Sequence, residues 1–226
     1  LEGGFGTGHE CLDARTPRPS HRLHARYHRA VSSYDRTTAL IVVDVQNDFA
    51  DPSGGLSVAG GTEVIPVINA EIEAVLAAGG GVFYTQDWHP ESTPHFEKDG
   101  GLWPVHCVAG TWGAELHPDL RDDGPVVRKG VNGEDGYSGF TTRDPETGET
   151  QPTELHHLLE EAGVEKLVVA GLATDYCVLA TALDARTRGY PTTVLAAGVR
   201  AVDLQPGDGE KALAELRLAG AYVDEG

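Results

Sequence analysis

Four reactive side chains, Asp44, Asp87, Lys129 and Cys177, each follow a short apolar run of strand character. Ala39-Leu40-Ile41-Val42-Val43 runs into Asp44, and Gly81-Val82-Phe83-Tyr84-Thr85 into Gln86-Asp87. Pro125-Val126-Val127-Arg128 precedes Lys129, while Leu167-Val168-Val169-Ala170-Gly171 leads toward Cys177. In an open α/β sheet, ligands bind outside the carboxyl ends of the strands, so all four side chains can meet in one crevice. There a carboxylate can take the proton of a thiol and make it a nucleophile, with the amine balancing the charge. Asp44, placed straight after five apolar residues, must be partly desolvated, which suits a general base. Cys177 is expected at the start of a helix, where N–H groups favour the thiolate and can bring its pKa from ~8.5 toward about 7 or lower. Each residue also has a plain structural alternative: a small buried thiol, a loop-capping Asp, a solvated Lys. Their convergence favours an active site.

A second group overlaps the first. Asp87, His89, His95 and His106 place one carboxylate and three imidazoles within twenty residues. Zn²⁺, Mn²⁺ and Fe²⁺ accept such a mixed oxygen and nitrogen set. Asp87 and His89 are two apart, so on an extended chain they point to the same side. His117, His156 and His157 read as packing or surface residues, and Cys107 as a bystander thiol. Phe49, Trp103 and Tyr137 lie on the loops beside these groups and offer the aromatic walls that a flat, mostly apolar ligand needs.

The elements that must position these groups form a regular series. A buried strand over 39–43 is followed by a loop rich in Asp, Pro and Gly over 48–61. Apolar residues at helical spacing (Val64, Val67, Ile68, Ile72, Val75, Leu76) predict a helix over 63–78, stopped by Gly79-Gly80-Gly81. Strands are expected over 82–86, 126–129, 166–171, 192–196 and 221–223, and helices over 153–162, 175–188 and 209–219. Residues 87–125 and 130–151 read as long loops, and loops of that length are usually functional. Strands alternating with helices predict an α/β fold: a doubly wound, mostly parallel sheet with helices on both faces, as in Rossmann-like three-layer folds.

Bulk properties narrow the partners. Among 226 residues, 35 Asp and Glu against 17 Lys and Arg give a formal charge of −18. Such a chain repels polyanions, so neither nucleic acid nor an anionic membrane surface is expected as a partner. No apolar run approaches the ~20 residues of a membrane helix. Three cysteines, Cys11, Cys107 and Cys177, argue against a disulfide framework and for a reducing, cytoplasmic setting. Residues 1–36 read as a disordered tail, with scattered Gly, Pro, His and Arg and no secretory apolar core, ahead of one domain over 37–226. The chain has no Met and begins with Leu1, from which translation is expected to start near Val31 on an alternative codon.

The motifs resemble those of the isochorismatase-like cysteine hydrolases. Ala39-Leu-Ile-Val-Val-Asp-Val-Gln-Asn-Asp-Phe49 is similar to their opening motif. Asp87-Trp-His89, His95-Phe96 and Trp103-Pro-Val-His106-Cys-Val-Ala-Gly-Thr111 resemble the metal-binding segment of the nicotinamidase branch. Lys129-Gly130 with Tyr137-Ser-Gly-Phe140, and Gly171-Leu-Ala-Thr-Asp-Tyr-Cys177, resemble the lysine and nucleophile motifs. The resemblance runs from about Thr38 to Val223. It implies a triad of Asp44, Lys129 and Cys177, and one divalent metal held by Asp87, His89, His95 and His106, with zinc favoured over iron or manganese. It further implies a cis peptide at Leu172–Ala173 and an oxyanion hole from the N–H groups of Ala173 and Cys177. Phe49, Trp103, Tyr137 and Leu172 would bind the substrate. The implied reaction is hydrolysis of nicotinamide to nicotinate and ammonia through a Cys177 thioester, in NAD salvage, with pyrazinamide-like analogues as further substrates.

Two departures border the expected entrance. The segment 50–56 is longer and differently composed than usual, and the stretch between Lys129 and Tyr137 is extended. Another small amide, such as an N-carbamoyl compound, is the nearest alternative substrate. A non-catalytic binding module is disfavoured by the complete triad, and isochorismatase itself by the metal set. Homo-oligomer formation is left open.

Overall fold

The computed structural model describes residues 34–226. Most of the tail expected over 1–36 lies outside these residues. At the start of the described chain, the Tyr34 hydroxyl donates to Glu71 and Asp35 pairs with Lys166 at 2.8 Å.

The elements follow in the order β1 (Thr38–Val43), α1 (Asn47–Ala50), α2 (Val64–Ala77), β2 (Gly81–Asp87) and β3 (Val126–Lys129). Next come β4 (Thr141–Arg143), β5 (Thr150–Pro152), α3 (Leu155–Glu161) and β6 (Lys166–Leu172). The chain closes with α4 (Leu179–Thr187), β7 (Thr192–Arg200), α5 (Asp208–Leu218) and β8 (Tyr222–Asp224). Six strands form one wholly parallel sheet in the order β3-β2-β1-β6-β7-β8. The chain winds outward from β1 to β3, then returns to the other side of β1 with β6. That reversal sets the topological switch point between β1 and β6, where open α/β sheets bind ligands.

Alternation along β1 divides the core. Ala39, Ile41 and Val43 pack on one side with residues of α3, α4 and α5. Leu40 and Val42 pack on the other with Ile65, Ile68, Ile72 and Val75 of α2. Burying each such side chain is worth about 1.5–3 kcal/mol. All six residues of β1 are buried, which explains why a central parallel strand reads as a continuous apolar run. Gly171 is required where β6 meets β1: its φ is +125°, and a Cβ there would lie 2.1 Å from the Val43 carbonyl oxygen. The strand that leads to Cys177 thereby packs directly on the residue before Asp44.

Besides the short helix α1, which opens the stretch read as a loop over 48–61, three regions differ from the sequence reading. The stretch 130–151 holds the antiparallel hairpin β4–β5; its strands are largely exposed, so no apolar alternation marked them. β7 extends four residues beyond Ala196, with an irregular register opposite Val169 and Gly171. The helix expected over 175–188 instead begins as a π-helical turn, Thr174–Val178, before α4. The Val178 N–H reaches back five residues to the Ala173 carbonyl at 3.1 Å, and such turns often occur at functional sites.

Candidate active site

Four neighbouring strands, β3, β2, β1 and β6, end at Lys129, Asp87, Asp44 and the segment leading to Cys177. Asp44 follows β1 in the left-handed region, with φ +48°, a conformation uncommon outside Gly, Asn and Asp. Its side chain is wholly buried and takes a 2.6 Å hydrogen bond from the Thr85 hydroxyl. Lys129 Nζ lies 2.9 Å from Asp44 Oδ2 and 3.6 Å from Cys177 Sγ, and it pairs closely with Asp87 Oδ1. Polar atoms of Asp44, Asp87 and Cys177 come within 4.8 Å of one another. One buried ammonium thus touches two carboxylates and the thiol.

Charge is distributed by competition between burial and these contacts. Burial pushes Asp44 up, and Asp87 adds to the rise while Lys129 opposes it. Burial also acts upward on Asp87, but Lys129, His89 and His106 outweigh it and hold that carboxyl well below the usual range. Lys129 is pushed down by burial and up, decisively, by Asp44, Asp87 and Cys177. Cys177 departs from the sequence expectation: burial drives its thiol well above the ordinary value, with Lys129 opposing. The residue sits inside the π-helical turn rather than at an open helix end, and removal from water dominates. Burial thus favours the protonated thiol of Cys177 beside a carboxylate whose proton affinity is raised, a pair suited to general-base chemistry.

His89, His95 and His106 converge on the far side of Asp87. Each offers a ring nitrogen, all within 4.8 Å of one another. His106 Nδ1 lies 2.7 Å from the Pro104 carbonyl oxygen and His95 Nδ1 lies 3.2 Å from Asp135 Oδ1. With a proton on each Nδ1, both Nε2 lone pairs are left for a ligand. Both nitrogens of His89 are buried without a hydrogen-bond partner, a costly state that a metal ion bound to one of them would relieve in part. Asp87 Oδ2 faces this cluster, 3.7 Å from His89 Nε2 and 3.9 Å from His106 Nε2. The donor set fits a divalent cation, and Asp87 would link that site to Lys129, since its Oδ1 pairs with the ammonium while Oδ2 faces the histidines. Burial pushes His106 down to about 4, so it is neutral near pH 7, as a ligand must be. Gly130, the residue after Lys129, backs the cluster: its φ is +78°, and a Cβ there would lie 2.6 Å from His89 Nδ1.

A narrow cavity connects the two groups. Phe49, Trp103 and Tyr137 line it together with Asp87, His95, His106, Ala173 and Cys177. The Trp103 indole N–H donates to the Tyr137 hydroxyl at 3.1 Å, joining two loops across the opening. The residue expected beside them, Leu172, does not line the cavity; its fully buried side chain joins the α2 face of the core. Alternation along β6 sends it there with Val168 and Ala170, while Ala173, the residue after the strand, borders both that core and the cavity. The Leu172–Ala173 peptide is cis.

Tyr176, Leu56 and Val202 also line the cavity and were not anticipated. Tyr176 packs edge-on to Trp103, with ring centroids 4.8 Å apart; its place beside Cys177 in the sequence was the available signal. Leu56 and Val202 come from distant loops and carry no local mark. No helix among the described residues is long and apolar enough to cross a membrane.

Comparison with known proteins finds relatives over most of the chain. The isochorismatase domain profile matches residues 38–225. A nicotinamidase of Escherichia coli (strain K12) is 38% identical over 203 residues, covering 82% of this chain and 93% of that protein. The crystal structure of a Pyrococcus horikoshii pyrazinamidase in complex with zinc superposes with a TM-score of 0.73 at 39% identity, covering 83% of this chain and 98% of that one. A structure from L. infantum in complex with nicotinate gives a TM-score of 0.75 at 37% identity, covering 84% and 94% of the two chains.

Proposed function

The chain belongs to the isochorismatase domain family, and from that premise we propose that it is a nicotinamidase, hydrolysing nicotinamide to nicotinate and ammonia through a thioester on Cys177. The observation that carries this reading is the contact of one buried Lys129 with Asp44, Asp87 and Cys177 at the edge of an aromatic cavity.

Asp44 accepts the Cys177 proton as the sulfur attacks the amide carbonyl carbon, and the carbonyl π pair moves onto oxygen. Because burial raises the thiol pKa, proton transfer accompanies attack rather than preceding it. Lys129 stays between Asp44 and Asp87 and limits the build-up of buried negative charge. The N–H groups of Ala173 and Cys177 receive the oxyanion, a contact worth about 3–4 kcal/mol per donor in such sites. Asp44 then returns its proton to the departing nitrogen, and ammonia leaves. In the second half Asp44 takes a proton from water, the resulting hydroxide attacks the thioester, and the proton goes back to sulfur as nicotinate departs.

Asp87, His89, His95 and His106 would hold the divalent ion, for which we favour zinc over iron or manganese. When bound it supplies a Lewis-acid site for the pyridine nitrogen and so fixes the ring. Phe49, Trp103 and Tyr137 flank that ring and exclude water from the reacting carbonyl. A pyrazine ring carries a nitrogen in the same place, so pyrazinamide is a further substrate. The free, buried thiols of Cys107 and Cys177 suit a reducing cytoplasm.

Relative kcat/KM tests the substrate. Nicotinamide is expected to exceed N-carbamoyl amides by about 100-fold or more, because only the pyridine satisfies both the aromatic walls and the ring-nitrogen site. A higher kcat/KM for an N-carbamoyl amide would reassign the cavity.

A further inference from the structure

We propose that Asp135 is a positioning residue for the metal cluster: its carboxylate fixes the ring of His95, and the β4–β5 hairpin fixes that carboxylate. His95 Nδ1 lies 3.2 Å from Asp135 Oδ1, so the proton sits on Nδ1 and Nε2 turns its lone pair to His89 and His106. His106 is held differently, by the Pro104 carbonyl two residues away in its own loop. An anionic acceptor raises the basicity of the imidazole it receives from more than a neutral carbonyl does.

The carboxylate is itself held at both oxygens. Gly136 N–H donates to Oδ1 at 2.7 Å, and the Arg143 guanidinium donates to Oδ2. The Asp135 and Arg143 backbones exchange hydrogen bonds, 2.7 Å in one direction and 2.5 Å in the other. A second tie runs alongside, from the Thr93 hydroxyl to the Gly133 carbonyl at 3.2 Å. The segment that begins at Lys129 therefore grips the segment that carries His95. In this way a polar surface hairpin transmits positional information from the sheet edge to one histidine of the cluster.

The inference rests on the metal reading of the three histidines, and the experiment separates the two. Zn²⁺ affinity of the full chain is measured by competition with a chromogenic chelator, for wild type, Asp135→Ala, Asp135→Asn and the exposed hairpin control Glu146→Ala. Co²⁺-loaded protein gives the visible d–d spectrum, and thermal melting of the metal-free proteins monitors the fold. Asp135→Ala is expected to bind Zn²⁺ about 10- to 100-fold more weakly and to shift the Co²⁺ spectrum. Asp135→Asn, which keeps an acceptor oxygen without the charge, should fall between; Glu146→Ala should match wild type. Wild-type affinity and an unchanged Co²⁺ spectrum in Asp135→Ala would overturn the role of Asp135. Failure of the wild-type protein to bind Zn²⁺ would instead remove the metal reading beneath it. Should Asp135→Ala not fold, the isosteric Asp135→Asn decides, and wild-type affinity there counts against the charge.

Discussion

Cys177→Ala is expected to lower kcat for nicotinamide by about 10⁴-fold or more while leaving the fold in place. Among the described residues that line the cavity, the Cys177 thiol alone can form the thioester, and the groups around it cannot substitute. Asp44 is a poor nucleophile toward an amide, and Lys129 is held protonated by two carboxylates. The change removes one sulfur from a buried position and leaves the Lys129 pairs with Asp44 and Asp87 intact. Nicotinamide should still bind, since the aromatic walls and histidines are untouched. Steady-state ammonia release gives the kcat, and equilibrium binding of nicotinamide gives the affinity. Substantial turnover by Cys177→Ala would refute a covalent route.

Lys129→Ala is expected to damage both stability and catalysis. Asp44 and Asp87 are almost fully buried, and Lys129 is the cation they share. Removing one partner from a buried ion pair typically costs about 3–5 kcal/mol, because the remaining charge has neither water nor a counter-ion. Chemical denaturation at pH 7 should read a loss of that order. The pH dependence has a definite sign. In the wild type Asp87 has a depressed folded pKa, so its contribution is present above the unfolded value and lost as pH falls. In the variant Asp44, which burial already raises, loses the Lys129 cation that opposes the rise, so its contribution to stability is lost as pH rises instead. The deficit relative to wild type should therefore shrink on acidification toward about pH 4, the ordinary carboxylate range. Lys129→Ala combined with Asp87→Asn should recover part of the loss. A variant as stable as wild type at pH 7 would mean that the two aspartates do not carry the charge assigned to them.

The reactive residues were legible in the sequence because strand ends in a parallel sheet are marked by their apolar runs. Asp44, Asp87 and Lys129 each follow such a run, and the structure brings them to adjacent strand ends. Cys177 was identifiable by its place after β6, but its electrostatics were not: the π-helical turn and its burial reverse the expected direction of the pKa shift. Leu172, the last residue of β6, is buried wholly in the core, whereas Ala173 just beyond the strand also reaches the cavity. The β4–β5 hairpin was hidden because exposed Thr, Gln and Arg carry no burial pattern. Asp135 was hidden for another reason. It looks like any acidic loop residue until the fold sets it against His95, forty positions earlier in the chain. Contacts between distant loops, including Leu56 and Val202 at the cavity wall, follow from the whole topology and leave no local signature.

The most direct measurement is ammonia release from nicotinamide by metal-replete protein, repeated after chelation and again after metal is restored. Turnover should fall on chelation and return with Zn²⁺, Mn²⁺ or Fe²⁺, with the fold persisting throughout because the six-stranded sheet is packed independently of the histidine cluster. Absence of turnover with every one of these metals, from folded protein with reduced Cys177, would contradict nicotinamide as the substrate and direct the search to a different amide.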